Sequence, residues 1–434
     1  MSSRRTISPV QHPALGNAVA REQLIDWFRD GRARSREVFA IPKPEAYYTR
    51  PIDLRNPIVF YEGHLPAFTV NTLIKLALGR DGIDEHYETL FARGIDPDSA
   101  DAAKPPTDVW PTAECVRKYG AQADALIVDA LESEPIDDGL VPQRVNAEAA
   151  FAILEHEQMH QETLLYMFHE MPYELKSPRR PLRANGYVNR QPDTKNRSIR
   201  VPAGEAMIGA SGGDFAWDNE LPAHRVDVGE FKVDRHNVTN RDYLDYMRAT
   251  RVDPPHFWAR REGEWFWRGM FEMADLPLDA PVYATQEEAV AFAKWRGKRL
   301  MTEAEYYRAA FGTPSGEERR HPWGDDPPDS THGNFGFANW DPVAVGSYPA
   351  GASAWGVHDL VGNGWEWTQT PFDGFNGFAP MASYPVYSSD FFDGRHFVMK
   401  GASPATMPQL IRRSFRNWFR GNYPYVYATF RCVG

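Results

Sequence analysis

Cysteine is almost missing from this chain of 434 residues: only Cys115 and Cys432 occur, far apart and in no C-x-x-C arrangement. That excludes a disulfide framework and a cysteine-built zinc site, and leaves two unpaired thiols in a reducing compartment. Long apolar runs are missing as well. No stretch approaches the ~20 residues of a membrane span. The first thirty residues are polar, with Arg4, Arg5, Arg21 and Glu22 in place of an apolar secretory core. Basic density is low too. The formal net charge is -11, and the densest Lys/Arg cluster, "SPRRPLR" at 177–183, is too short to track a phosphate backbone. These absences predict a cytoplasmic protein with neither nucleic acid nor a membrane as partner.

What remains is an ordinary globular balance, 42% hydrophobic and 25% charged, with 13% aromatic residues as its one enrichment. The length exceeds what one core usually serves and predicts two or three domains. Residues 20–40, 67–79, 84–93, 112–133 and 146–170 carry apolar residues at three- and four-residue steps and read as helices. Leu24, Ile25, Trp27 and Phe28 mark the buried stripe of the first; Phe151, Ile153, Leu154, Leu164 and Phe168 mark that of the last. Helices of this number and length predict an antiparallel four-helix bundle. From 171 to 200 the chain turns Pro- and Arg-rich and loses periodicity, which places a domain boundary between 1–185 and 195–434. Beyond it, short β-like pieces ("SIRVPAG", "HRVDVGEFKVDRH", "HFVMKGAS") alternate with loops dense in Gly, Pro, Asn, Asp and Trp, interrupted by two helices. One starts at Thr239 or Asn240, the other at Thr285 with Glu288 completing a capping box. The fold class is α+β.

The strongest chemical signal is "ILEHEQMHQETL" at 153–164. His156 and His160 stand four apart, so a helix puts them on one face a turn apart, where they can share a metal. Glu155, Glu157 and Glu162 flank them as candidates to orient the rings. "HEQMH" also matches H-E-x-x-H, which keeps open a zinc hydrolase with Glu157 as general base. A third histidine, His64 in "FYEGHLPAF", sits in an apolar segment where an unpartnered imidazole is unfavourable. His169 is a rival ligand on another face of the helix. Trp323, Trp365 and Trp367 read as inward-packing residues of the second domain.

These stretches resemble a known family over nearly the whole chain. "VPAGEAMIGA", "HNVTNRDYLDYM", "KRLMTEAEYYRAA", "HPWGDD", "GNGWEWTQTPF" and "KGASP" resemble the formylglycine-generating-enzyme (sulfatase-modifying-factor) domain, a variant of the C-type-lectin fold. "GHLPAF" and "HEQMHQE" resemble the DinB-like helical bundle that precedes this domain in the sulfoxide synthases of ergothioneine and ovothiol biosynthesis. The resemblance implies iron(II) on His64, His156 and His160, and oxidative joining of the imidazole carbon of hercynine to a thiol with O2. By the same resemblance Tyr387, Asn417 and Trp418 match residues that hold hercynine, and Tyr384 matches a tyrosine that donates a proton or hydrogen atom.

Three departures bear on the second substrate. Phe419 stands where the enzymes that use γ-glutamylcysteine carry an aspartate, Met159 stands where several relatives have glutamine, and "LFARGIDPDSADAAKPP" (90–106) lacks a Tyr-Tyr pair of the cysteine-using enzymes. The similar selenoneine synthases use a selenosugar, which keeps a C–Se bond open beside a C–S bond. More distant alternatives are a zinc hydrolase and a lectin-like protein that only binds.

Overall fold

In a computed structural model the described residues are 10–12, 14, 18–92, 110–178 and 191–434. Residues 185–190 of the predicted boundary and most of segment 90–106 lie outside them.

After a short hairpin of β1 (Val10–Gln11) and β2 (Ala18–Val19), the first half is built on α1 (Arg21–Phe39), α2 (Ile58–Thr69), α3 (Glu85–Leu90), α4 (Ala113–Ser133) and α5 (Glu148–His169). Four of the five predicted helices are α1, α3, α4 and α5, and α1, α2, α4 and α5 pack on one another as the expected bundle. The exception is α2, which begins at 58 where the sequence reading begins at 67. "IVFYEGHLPAFT" is apolar on every face and contains Gly63 and Pro66, so it has neither an amphipathic stripe nor a helical composition. Burial on all sides decides its conformation instead. It runs on through wide turns to Ala77, where the Leu78 N–H reaches back five residues to the Leu73 carbonyl at 3.0 Å.

In the second half β3 (Ser198–Val201), β5 (His224–Val228) and β6 (Phe231–Asp234) come from the two predicted β-like pieces nearest the connector, while β4 (Gly204–Ile208) follows the first of them and was not expected as a strand. The chain then forms α6 (Asn240–Thr250), a small sheet of β7 (Trp258–Arg261), β8 (Glu264–Arg268) and β9 (Met273–Asp275), then α7 (Gln286–Trp295) and β10 (Arg299–Leu300). Thr239 and Thr285 cap α6 and α7, each in a capping box. A third helix, α8 (Glu303–Phe311), was not expected. It is short and buried all round, yet Thr302 and Glu305 form a capping box that marks its start.

The remaining strands are β11 (Gly364–Pro371), β12 (His396–Ala402), β13 (Asn417–Arg420), β14 (Ala428–Thr429) and β15 (Cys432–Val433). One four-stranded sheet has the order β13-β12-β11-β14 and another β10-β15-β6-β3. The register Met399↔Asn417, Val398↔Trp418, Phe397↔Phe419 fixes three candidate site residues at the sheet edge. A single apolar cluster joins the halves, running from Phe151, Leu165 and Phe168 of α5 to Trp365, Phe415 and Tyr427. Trp365 and Trp367 pack inward as expected. Trp323 does not. It is half-buried, its ring sandwiched between His321 (4.9 Å between centroids) and His332 (4.3 Å).

Candidate active site

His64, in the middle of α2, faces His156 and His160 on α5. Ring centroids lie 5.1 Å (64–156), 4.9 Å (64–160) and 4.4 Å (156–160) apart. One ring nitrogen from each comes within 4.8 Å of the others, and among the described residues no other three His, Cys, Asp or Glu side chains meet so closely. His64 Nδ1 donates to the Phe91 carbonyl at 2.8 Å, so Nε2 is the unprotonated nitrogen. His156 is stacked on Phe68 at 3.5 Å, which fixes its plane.

Burial strips solvent from all three rings and disfavours their charged forms. His64 is pushed down to about 4, and His156 and His160 well below the usual histidine range, first by desolvation and then by their imidazole neighbours. Three neutral imidazoles converging on one point suit a divalent transition metal, and the donor set accepts iron as readily as zinc.

The flanking carboxylates do not orient these rings. Glu155 is held by Arg412, His12 and Trp217. Glu157 accepts from Arg32 Nη1 at 3.0 Å and from Ser35. Glu162 accepts from Trp365 Nε1 (2.6 Å), Ser403 (2.6 Å) and Thr406 (2.8 Å). With its carboxylate tied to α1, Glu157 is not available as a base at the histidines, which removes the support for a zinc hydrolase. His169 lies elsewhere, its Nε2 on the Arg268 carbonyl at 2.6 Å and its Nδ1 at 3.0 Å from the Tyr427 hydroxyl.

The histidines floor a cavity of about 250 Å³ between α2, α5 and the edge of the β11–β13 sheet. Met159, Tyr384, Tyr387, Asn417, Trp418 and Phe419, all singled out from sequence, line it. Tyr384 stands edge-on to Phe68 (5.3 Å) and His156 (6.3 Å). The Tyr387 hydroxyl points at Met159 Sδ (3.3 Å), and burial raises it well above the ordinary phenol range. Trp418 lies flat on Phe372 (4.1 Å) and edge-on to Tyr387 (5.3 Å). Phe419 stacks on Tyr423 at 5.0 Å.

Sequence reasoning missed Arg55 and Tyr166, whose side chains join at 2.7 Å on the same wall, because Arg55 sits in an irregular loop with no motif around it. It assigned Trp365 to packing alone, although that ring also lines the cavity.

A helical bundle presenting three histidines to a pocket walled by a loop-rich sheet domain defines a two-domain architecture with one shared site. Its parts match known families: residues 28–164 the DinB superfamily, and residues 184–434 the sulfatase-modifying factor enzyme 1-like domain. A hercynine oxygenase of Mycolicibacterium smegmatis is 35% identical over 72% of this chain and 74% of its own length. One from Mycobacterium tuberculosis is 39% identical over 48% of this chain and 52% of its own. Ergothioneine biosynthesis protein 1 of Neurospora crassa is 28% identical over 90% of this chain and 55% of its own, so the chain spans about half of that longer relative. The chain belongs to the sulfatase-modifying factor enzyme 1-like family, in the branch that joins this domain to a DinB domain and includes the hercynine oxygenases. Among the described residues no helix is long and apolar enough to cross a membrane.

Proposed function

We propose that this chain is a cytoplasmic enzyme of ergothioneine-type biosynthesis. With iron(II) and O2 it forms a C–S or C–Se bond between the imidazole of hercynine and a thiol or selenium donor. The observation that carries this reading is the convergence of three neutral imidazoles at the floor of an aromatic pocket, with the flanking carboxylates of Glu155, Glu157 and Glu162 engaged by other side chains. The names of its relatives support it. His64, His156 and His160 would hold the ferrous ion, which when bound supplies open coordination positions and redox chemistry toward O2.

The chain's own residues do the rest. Tyr387 and Trp418 offer π faces to a trimethylammonium group, each contact worth about 0.5–2 kcal/mol, and Asn417 beside them offers an amide for polar contacts. Bound between these walls and the histidines, the substrates meet without the entropy loss of a free encounter. Tyr384, edge-on to His156, holds a hydroxyl proton at the pocket wall. Met159 places a thioether where an amide would compete for the Tyr387 hydroxyl.

For the second substrate, the flat Phe419–Tyr423 shelf favours a ring-bearing donor such as a selenosugar over the peptide-like γ-glutamylcysteine. Iron(II)-loaded protein incubated with hercynine, O2 and in turn cysteine, γ-glutamylcysteine and a selenosugar should give one hercynine adduct by mass spectrometry. No adduct with any donor, together with no hercynine-dependent O2 uptake, would reject the assignment.

A further inference from the structure

Trp217 is outside the pocket lining, yet it is tied to it. Its indole N–H donates to Glu155 Oε2 at 2.7 Å, and its ring lies against Tyr387 with centroids 4.2 Å apart and planes 31° apart. Tyr387 in turn directs its hydroxyl at Met159 Sδ. Glu155 and Met159 are four residues apart on α5, one turn of the helix. The two stacked rings are therefore pinned to the same helix at two points, next to the turn that carries His156 and His160.

The Glu155 pin is itself held from several sides. Arg412 grips Glu155 through Nη1–Oε1 (2.6 Å) and Nη2–Oε2 (3.0 Å), and reaches Glu220 through Nε at 2.9 Å and through Nη2. His12 Nε2 meets Glu155 Oε1 at 2.6 Å. The Trp217 backbone N–H donates to Glu220 Oε1 at 3.1 Å, so the same carboxylate fixes the main chain of Trp217. All of these side chains are buried. A charge-assisted bond in so dry a setting holds its geometry far better than stacking alone.

We infer that Trp217 is a positioning residue: it sets the ring of Tyr387, and with it the substrate wall, in register with the three histidines of α5. The inference rests on the proposed reading only in taking hercynine as the molecule that Tyr387 contacts.

Trp217→Phe keeps a ring in the stack and deletes the N–H, while Glu155 retains Arg412 and His12. The loss of one charge-assisted hydrogen bond should weaken hercynine binding to the iron(II)-loaded protein about tenfold in anaerobic calorimetry. Bound iron per chain should stay as in the parent protein, and Trp217→Phe should add nothing further in a Tyr387→Ala background. Effects of the two substitutions that simply multiply, or an affinity within twofold of the parent, would overturn the inference.

A second readout does not need hercynine. In protein labelled with 3-fluorotyrosine, the 19F resonance that Tyr387→Phe removes should shift and broaden in Trp217→Phe, and an unmoved resonance would overturn the inference. Parent protein that binds no hercynine at all would sink the proposed function alone, because the fluorine signal still reports whether Trp217 sets the Tyr387 ring.

Discussion

At the residue scale, spacing revealed the His156/His160 pair, because four residues is one helical turn and the stripe can be read from the chain. His64 became a ligand candidate through its apolar surroundings and the family resemblance, since nothing local says that a buried imidazole 92 positions away will face the pair. Replacing His160 by Ala removes one of three donors. Metal content by anaerobic analysis should fall at least tenfold while the fold, read by circular dichroism, persists. Glu157 separates iron from zinc chemistry in another way. Glu157→Gln should leave metal binding intact but remove about 1–3 kcal/mol of stability, because the half-buried Arg32 keeps only Asp124 as a charged partner. A Glu157→Gln protein of unchanged stability that lost a hydrolytic activity would reinstate the zinc reading. His169 supplies a pH test free of the metal. Burial lowers it to about 4 from 6.5, against the opposing pull of the Arg268 carbonyl. The unfolded chain takes up its proton below about 6.5 and the folded one does not until about 4, so stability is intact above that window and is lost as pH falls through it. Urea midpoints between pH 7 and 5 should fall more steeply in the parent than in His169→Gln, by about one bound proton. Equal slopes would show that the ring is not held neutral.

At the element scale, amphipathic helices were legible and the all-apolar one was not. α1 and α4 each bury one stripe and announce themselves by it, while α5 is covered on nearly every face and was found from the spacing of its apolar residues and its strong helix formers. α2 buries every face and carries Gly63 and Pro66, so its start could be found only from the bundle around it. α8 was a different omission, because its Thr302/Glu305 box is written in the sequence and only its brevity hid it. Gly63 has a packing reason to be there. A Cβ at this position would meet the Phe91 ring at 2.5 Å, and the Phe91 carbonyl is what orients His64. Gly63→Ala should therefore act twice, destabilising by about 1–3 kcal/mol through overpacking and weakening metal affinity by displacing the Phe91 carbonyl. Thermal melts of metal-free protein and a metal titration read the two effects separately. Lowered stability with unchanged affinity would show that Phe91 yields without moving its carbonyl.

At the scale of the whole molecule, the site exists only because two dissimilar halves share one core. The bundle contributes the histidines and the sheet domain contributes Tyr384, Tyr387, Asn417 and Trp418, and composition gave no hint of how closely the halves would pack. Besides the common apolar cluster, a buried ion cluster fastens them. Arg412 of the second half lies between Glu155 of α5 and Glu220, with exposures of 0–1% throughout. Desolvation would raise the Glu155 carboxyl, and Arg412 with His12 more than reverses that, so Glu155 stays ionised beside Arg412. Such a group favours one arrangement of the halves over others, because any slippage would leave an unpaired charge in an apolar interior. Arg412→Met fills similar space but strands two carboxylates, which should remove at least about 3 kcal/mol. The parent protein should melt in one calorimetric transition, as a shared core requires. Arg412→Met should either melt much lower in one step or resolve into two, with the α5 half parting from the sheet half first. A variant that melts at the parent temperature in one transition would mean that the apolar cluster alone holds the halves in register.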